Sequence, residues 1–191
     1  MLKKLIISVV GFVMALSITA LAEPYINLTT WYDGGYEHAS MDGINEYTGD
    51  VMWSTYLGAA QATELEAAQY LGNSYGYAYV LFDGAVYVID PYKGYINWVN
   101  QDFGGRSASW TFSSSGKLYM CGAYGPEFFV MDPYGNTVSR INSMSDNYYL
   151  PCELYFTYGD NICLVYGGSY YGEGYYPLEF NVTQYFGIIE Y

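Results

Sequence analysis

The chain has 191 residues, 52% of them hydrophobic and 13% charged, with a formal net charge of −13. That length holds one domain with a sizeable core. The acidity argues against nucleic acid or an anionic membrane surface as a partner, because both need Lys and Arg at the phosphates.

The first 22 residues read as a secretory signal peptide. Lys3 and Lys4 give a positive start, Leu5 to Ala20 an apolar run, and Ala20-Leu21-Ala22 a small-x-small cleavage site. The rival reading is an uncleaved anchor, since about 20 residues span a bilayer. Cleavage after Ala22 leaves residues 23–191 as one exported domain, secreted, cell-surface or periplasmic. It would carry four basic residues, Lys93, Arg106, Lys117 and Arg140, against 19 acidic ones, and have no membrane partner.

Beyond that point the chain repeats itself. Ile44-Asn45-Glu46-Tyr47-Thr48-Gly49-Asp50-Val51-Met52-Trp53 lies over Ile89-Asp90-Pro91-Tyr92-Lys93-Gly94-Tyr95-Ile96-Asn97-Trp98. A weaker copy begins at Met131-Asp132-Pro133-Tyr134, with Asn136 set at the glycine and Arg140 at the tryptophan. Phe180-Asn181 opens a fourth, which closes on Gly187 to Tyr191. Self-similarity at this period marks an array of small units that bury their faces only against neighbours.

Turn residues cut each unit into strand-length pieces. The partial first unit runs from Tyr25 to Trp53. The second has strands at Glu64 to Tyr70, Tyr75 to Leu81, Ala85 to Ile89 and Tyr95 to Trp98, with turns at Gly72-Asn73-Ser74, Phe82-Asp83-Gly84 and Asp90 to Gly94. The third has strands at Ala108 to Phe112, Lys117 to Ala123, Glu127 to Met131 and Thr137 to Ile141. The fourth has Cys152 to Thr157, Asn161 to Tyr166, Tyr175 to Phe180 and Gly187 to Tyr191.

Thr63 to Gly72 also carries helix formers, a Thr-x-x-Glu capping box and a terminal glycine, so a helix competes there with the strand that the repeat register assigns. Asn45, Asp90, Asp132 and Asn181 recur as Asn or Asp at one place. That alternation fits a residue capping a turn with its side chain rather than a catalytic carboxylate.

This pattern resembles the quinoprotein-type, or PQQ-like, β-propeller repeat. Asn45…Thr48-Gly49…Trp53 and Asp90…Lys93-Gly94…Trp98 match that family's blade ending: a strand, Asp, a turn with Thr or Lys before Gly, and a strand closing on Trp. The resemblance implies an all-β, β-propeller-like array of four-stranded antiparallel blades, here three whole units and a partial one, short, open or truncated. The family's dehydrogenases often have eight blades. The vicinal cysteine pair and quinone cage of such members have no counterpart here, so the resemblance implies the architecture without the cofactor or the reaction.

Other chemistry finds little support in the sequence. His38 is the only histidine, no Gly-x-Ser-x-Gly accompanies it, and Gly34-Gly35-Tyr36-Glu37-His38 reads as a hairpin approach. One histidine and Cys121, Cys152 and Cys163, without CxxC spacing, do not make a zinc site. One disulfide is open to these cysteines outside the cell, but all three sit in apolar runs and read as buried thiols. The Asp-Gly pairs at Asp33, Asp42 and Asp83 read as turns, not as a calcium loop. Glu64 and Glu66 would lie about 7 Å apart on one strand and read as solvated, not as a glycosidase pair.

The 26 tyrosines are the compositional anomaly, and most are expected to pack on half-buried sheets. Given blade topology, the loops between second and third strands share one end of the array with the loops between blades. Asp102, Arg106, Tyr148, Tyr149, Tyr170 and Tyr171 are therefore the expected ligand-binding residues. The expected function is a non-catalytic binding or scaffolding module for an extracellular polysaccharide, peptide or protein partner. The alternative is a truncated fragment of a quinoprotein-type or glycosidase-type propeller enzyme.

Overall fold

The computed structural model describes residues 24–61, 68–124, 126, 128–142, 149–156, 162–169 and 178–181. The expected leader, 1–22, lies outside them. Every regular element among them is a strand: β1 (Tyr25–Asp33), β2 (Tyr36–Ile44), β3 (Val51–Gln61), β4 (Gln69–Ser74), β5 (Tyr77–Phe82), β6 (Ala85–Ile89), β7 (Ile96–Asn100), β8 (Arg106–Phe112), β9 (Leu118–Tyr124), β10 (Phe128–Met131), β11 (Thr137–Ile141), β12 (Tyr149–Phe156), β13 (Ile162–Ser169) and β14 (Leu178–Asn181). They form four antiparallel meanders, β1-β2-β3, β4-β5-β6-β7, β8-β9-β10-β11 and β12-β13-β14. This is the open, propeller-like array of blades that the repeat implies. By register, β1-β2-β3 corresponds to β5-β6-β7, so among the described residues the first sheet has no counterpart of the strand that β4 and β8 supply to theirs.

Apolar layers hold the sheets together. Between the first and second sheets, Ile26, Ala39, Met41 and Leu57 meet Ala78, Val80, Phe82 and Ile89. Between the second and third, Tyr79, Leu81, Val86 and Val88 meet Leu118, Met120, Phe129 and Met131, with Phe103 from the connecting loop as a plug. The second sheet is thus buried on both faces, which is why β5 and β6 read as near-continuous apolar runs.

The repeated turn is also the docking element between sheets. The Oδ1 of Asn45 accepts from the amides of Tyr47 and Thr48, that of Asp90 from Tyr92 and Lys93, and that of Asp132 from Tyr134 and Asn136. These three are turn formers, as their alternation implied; the side chain of Asn181 is outside the described residues. A Cβ on Gly94 would stand 2.6 Å from the indole of Trp53, and one on Gly135 2.8 Å from Cβ of Trp98. Each tryptophan therefore lies on the turn glycine of the next sheet. Two residues further on, Thr55 Oγ1 donates to the Gly94 carbonyl at 2.5 Å and Asn100 Nδ2 to the Gly135 carbonyl at 2.9 Å.

The structure corrects four sequence-based expectations. In the third copy Gly135, not Asn136, does the glycine's work, because that turn is one residue shorter: Asp132 pairs with Asn136 where Asp90 pairs with Tyr95. A bulge then precedes Ser139, opposite Val130, as one precedes Trp53 and Trp98, so Ser139 rather than Arg140 stands at the tryptophan position.

In the second unit the first strand lies at Gln69–Ser74 rather than Glu64 to Tyr70, and the hairpin turns at Tyr75-Gly76. Gly72 is the site of a bulge within the strand. The helix alternative fails at its C-terminal half, which is strand; Glu64 and Glu66 are outside the described residues. Asp42-Gly43 is not a turn but lies within β2, near its end, where a Cβ on Gly43 would lie 2.2 Å from the indole of Trp53 opposite.

The fourth correction concerns the tyrosines. Tyr25, Tyr32, Tyr36, Tyr47, Tyr56, Tyr75, Tyr92, Tyr95 and Tyr134 are exposed, against Tyr79 and Tyr119 buried. Aliphatic, Met and Phe side chains fill the layers; Tyr70, Tyr77 and Tyr87 are half-buried, and most of the tyrosines whose side chains are described keep their hydroxyls in water at turns and on outer faces.

Candidate functional site

The outer face of the first sheet is built differently from its counterparts. Where the second and third sheets carry Val80 and Tyr87, or Met120 and Phe129, toward the preceding sheet, the first carries Asn27 and Asp42 at the same register. Asn27 Nδ2 donates to Thr29 Oγ1 at 3.1 Å, Thr29 Oγ1 to Asp42 Oδ2 at 2.9 Å, and Ser54 Oγ to Asp42 Oδ1 at 2.6 Å. A polar, internally bonded face of this kind ends a stack instead of extending it.

Three rings continue that face. Gly34-Gly35 closes a two-residue hairpin with both φ angles positive, which sets Trp31 directly opposite His38. The two rings stack with centroids 5.2 Å apart and planes 9° from parallel. From β3, Tyr56 stacks beside His38 with centroids 6.1 Å apart, and its hydroxyl lies 2.7 Å from His38 Nδ1. Trp31 is 42% and Tyr56 54% exposed. The result is a flat aromatic platform beside a row of amide, hydroxyl and carboxylate groups on nine-residue strands.

Of the residues expected to bind ligand, Tyr148, Tyr170 and Tyr171 lie outside the described residues, as does the side chain of Tyr149, which enters β12. Asp102 and Arg106 lie in and after the loop joining the second and third sheets. Asp102 Oδ2 accepts from Thr137 Oγ1 at 2.5 Å, its carbonyl accepts from Arg140 Nε, and its amide donates to Asn100 Oδ1. It ties that loop to β11. Arg106 opens β8 opposite Tyr124. The loop does share one end of the array with the turn between β5 and β6, since Gly104 donates to the Gly84 carbonyl at 2.7 Å.

Trp31, His38 and Tyr56 were not among the residues expected from sequence to bind ligand; His38 was weighed only as the histidine of a nucleophile system. The Gly34-Gly35 hairpin was enough to pair Trp31 with His38; the bulge between Ala39 and Ser40 that brings Tyr56 alongside left no sequence signal. Elsewhere, Cys121 is buried, as its apolar run implied, with its Sγ 3.7 Å from the Ser109 carbonyl; the side chains of Cys152 and Cys163 are outside the described residues. Among the described residues no group of His, Cys, Asp or Glu could hold a metal ion, and no helix is long and apolar enough to cross a membrane.

No family model matches the chain and no curated protein does. Among solved structures it is similar to the computationally designed Ika8 protein, at 17% identity and a TM-score of 0.49 over 74% of this chain and 43% of that one. It is also similar to BamB from Moraxella catarrhalis, at 16% identity and a TM-score of 0.43 over 72% of this chain and 40% of that one. A chain of the Mitotic Checkpoint Complex matches at 9% identity and a TM-score of 0.41, over 75% of this chain and 58% of that one. The chain thus spans under half the length of the first two. Nothing about function follows from likeness at this level.

Proposed function

We propose that this chain is an exported, non-catalytic binding module whose first sheet takes a neutral polysaccharide on its outer face. The observation that carries the reading is the exposed Trp31–His38–Tyr56 platform beside the Asn27, Thr29, Asp42 and Ser54 row. Sugar rings offer apolar faces to aromatic rings and hydroxyls to amide and carboxylate groups, and this face presents both kinds of partner side by side. A nine-residue strand is about 30 Å long, so the face suits several units of an extended polymer better than one small molecule. Asp33 and Asp42 on the same face, and the overall acidity, favour a neutral glycan over an anionic one.

The test is binding of the mature domain to soluble neutral glycans such as β-glucan, xylan and mannan. Replacing Trp31 with Ala should weaken binding by roughly 1–3 kcal/mol, the cost of losing an exposed aromatic anchor, with the fold intact by circular dichroism. A Tyr170→Ala/Tyr171→Ala double variant tests the alternative site expected from sequence, that of Asp102, Arg106, Tyr148, Tyr149, Tyr170 and Tyr171. If that variant loses binding and Trp31→Ala does not, the ligand sits at the loops. No binding to any of these glycans would sink the reading, and release of reducing sugar from them would favour the enzyme-fragment alternative.

A further inference from the structure

The backbone edge of β1 that faces away from β2, unpaired among the described residues, is a second feature of the first sheet, independent of its outer face. In the second and third sheets the corresponding edges, those of β5 and β9, are covered by the antiparallel strands β4 and β8. Among the described residues, β1 pairs with β2 alone, over nine unbroken positions from Tyr25↔Ile44 to Asp33↔Tyr36. Natural edge strands are blunted by Pro, Lys, bulges or shortness. Tyr25-Ile26-Asn27-Leu28-Thr29-Thr30-Trp31-Tyr32-Asp33 has none of these and is rich in strand formers.

We propose that β1 is a strand-addition site, completed to a four-stranded sheet by an extended segment of a partner protein lying antiparallel to it. The chain itself gives the template. Neighbouring inner strands are laced together: Gln69 Oε1 and Nε2 bond the Ser107 amide and carbonyl, both at 2.9 Å, and Trp110 Nε1 donates to the Leu71 carbonyl at 2.7 Å. Tyr70 occupies in β4 the register position of Trp110 in β8. An added strand would therefore lie beside Tyr70 as β4 lies beside Trp110. The place beside β4 takes one strand rather than another whole sheet.

The chemistry of the partner segment follows from the two faces of β1. On one side Ile26 and Leu28 belong to the apolar layer, so alternate partner residues are apolar. On the other, Asn27, Thr29 and Trp31 ask for polar or aromatic neighbours. With a net charge of −13, the chain favours a neutral or basic segment.

A synthetic peptide of residues 105–113, which contains β8 and one arginine, is the probe. Amide hydrogen exchange of the mature domain is followed residue by residue, with the peptide and with a copy N-methylated at alternate amides. The expected result is a slowing of at least tenfold, at millimolar peptide, confined to amides of Tyr25–Asp33 and absent with the methylated copy. Three outcomes overturn the proposal: no slowing, slowing by both peptides alike, or full protection of the outward β1 amides in the free domain, which would mean that another part of the chain already covers the edge.

Discussion

The indole of Trp53 lies on the bare α-carbon of Gly94 in the next sheet, with its Nε1 donating to the Pro91 carbonyl at 2.8 Å. Gly94 has a φ of +73°, and Gly49, its counterpart one sheet earlier, has nearly the same at +75°, yet a Cβ on Gly49 would meet nothing among the described residues within 4 Å. The two positions share their backbone and differ in what rests on them. Gly94→Ala should cost roughly 2–4 kcal/mol, from overpacking plus backbone strain, and Gly49→Ala about 1–2 kcal/mol from strain alone. Urea denaturation of both variants checks this; equal losses would mean that the indole contact contributes nothing.

Trp98 repeats the arrangement on Gly135 and packs edge-on against Tyr77, with centroids 5.0 Å apart. Trp98→Ala should cost on the order of 3–5 kcal/mol, since it empties part of the layer between two sheets. An unchanged denaturation midpoint would remove Trp98 from that layer.

Tyr79 is fully buried and its hydroxyl has no hydrogen-bond partner among the described residues. Tyr79→Phe should therefore be neutral or stabilising by up to about 1 kcal/mol at pH 7, because it deletes an unsatisfied polar group while keeping the ring.

Burial, with smaller contributions from Tyr77 and Asp132, pushes the Tyr79 pKa up from 10.0 to about 12. The folded state therefore holds this proton more tightly than the unfolded state. Its contribution is fully present below pH 10 and is lost as the pH rises from 10 toward 12, amounting to roughly 2–3 kcal/mol. Alkaline unfolding of the parent should be steeper over that window than that of Tyr79→Phe. Identical profiles would show that Tyr79 does not drive it, leaving Tyr70 and Tyr87, whose pKa values burial also raises.

Asp90→Ala removes the acceptor of two backbone amides on an exposed turn and should cost about 1 kcal/mol, whereas Asp90→Asn, the residue used at Asn45, should cost a few tenths. Thermal melts of the pair separate the capping role from any role of the charge.

What the sequence determined by itself is the repeat and its local grammar. The period, the Asx-capped turn and the glycines settle strand after strand, because side-chain capping and positive φ are properties of a few consecutive residues. Ala85–Ile89 and Thr137–Ile141 emerge with their boundaries intact. Tertiary structure decided the rest. A bulge or a one-residue deletion in a turn changes which side chain meets which partner without disturbing any local signal, so Ser139 rather than Arg140 takes the tryptophan's place. The docking of Thr55 and Asn100 onto the next turn joins residues 39 and 35 positions apart. The Trp31–His38–Tyr56 platform is open because, among the described residues, no other sheet lies on the outer face of the first, and whether a face is covered or open depends on neighbours that its own sequence does not contain.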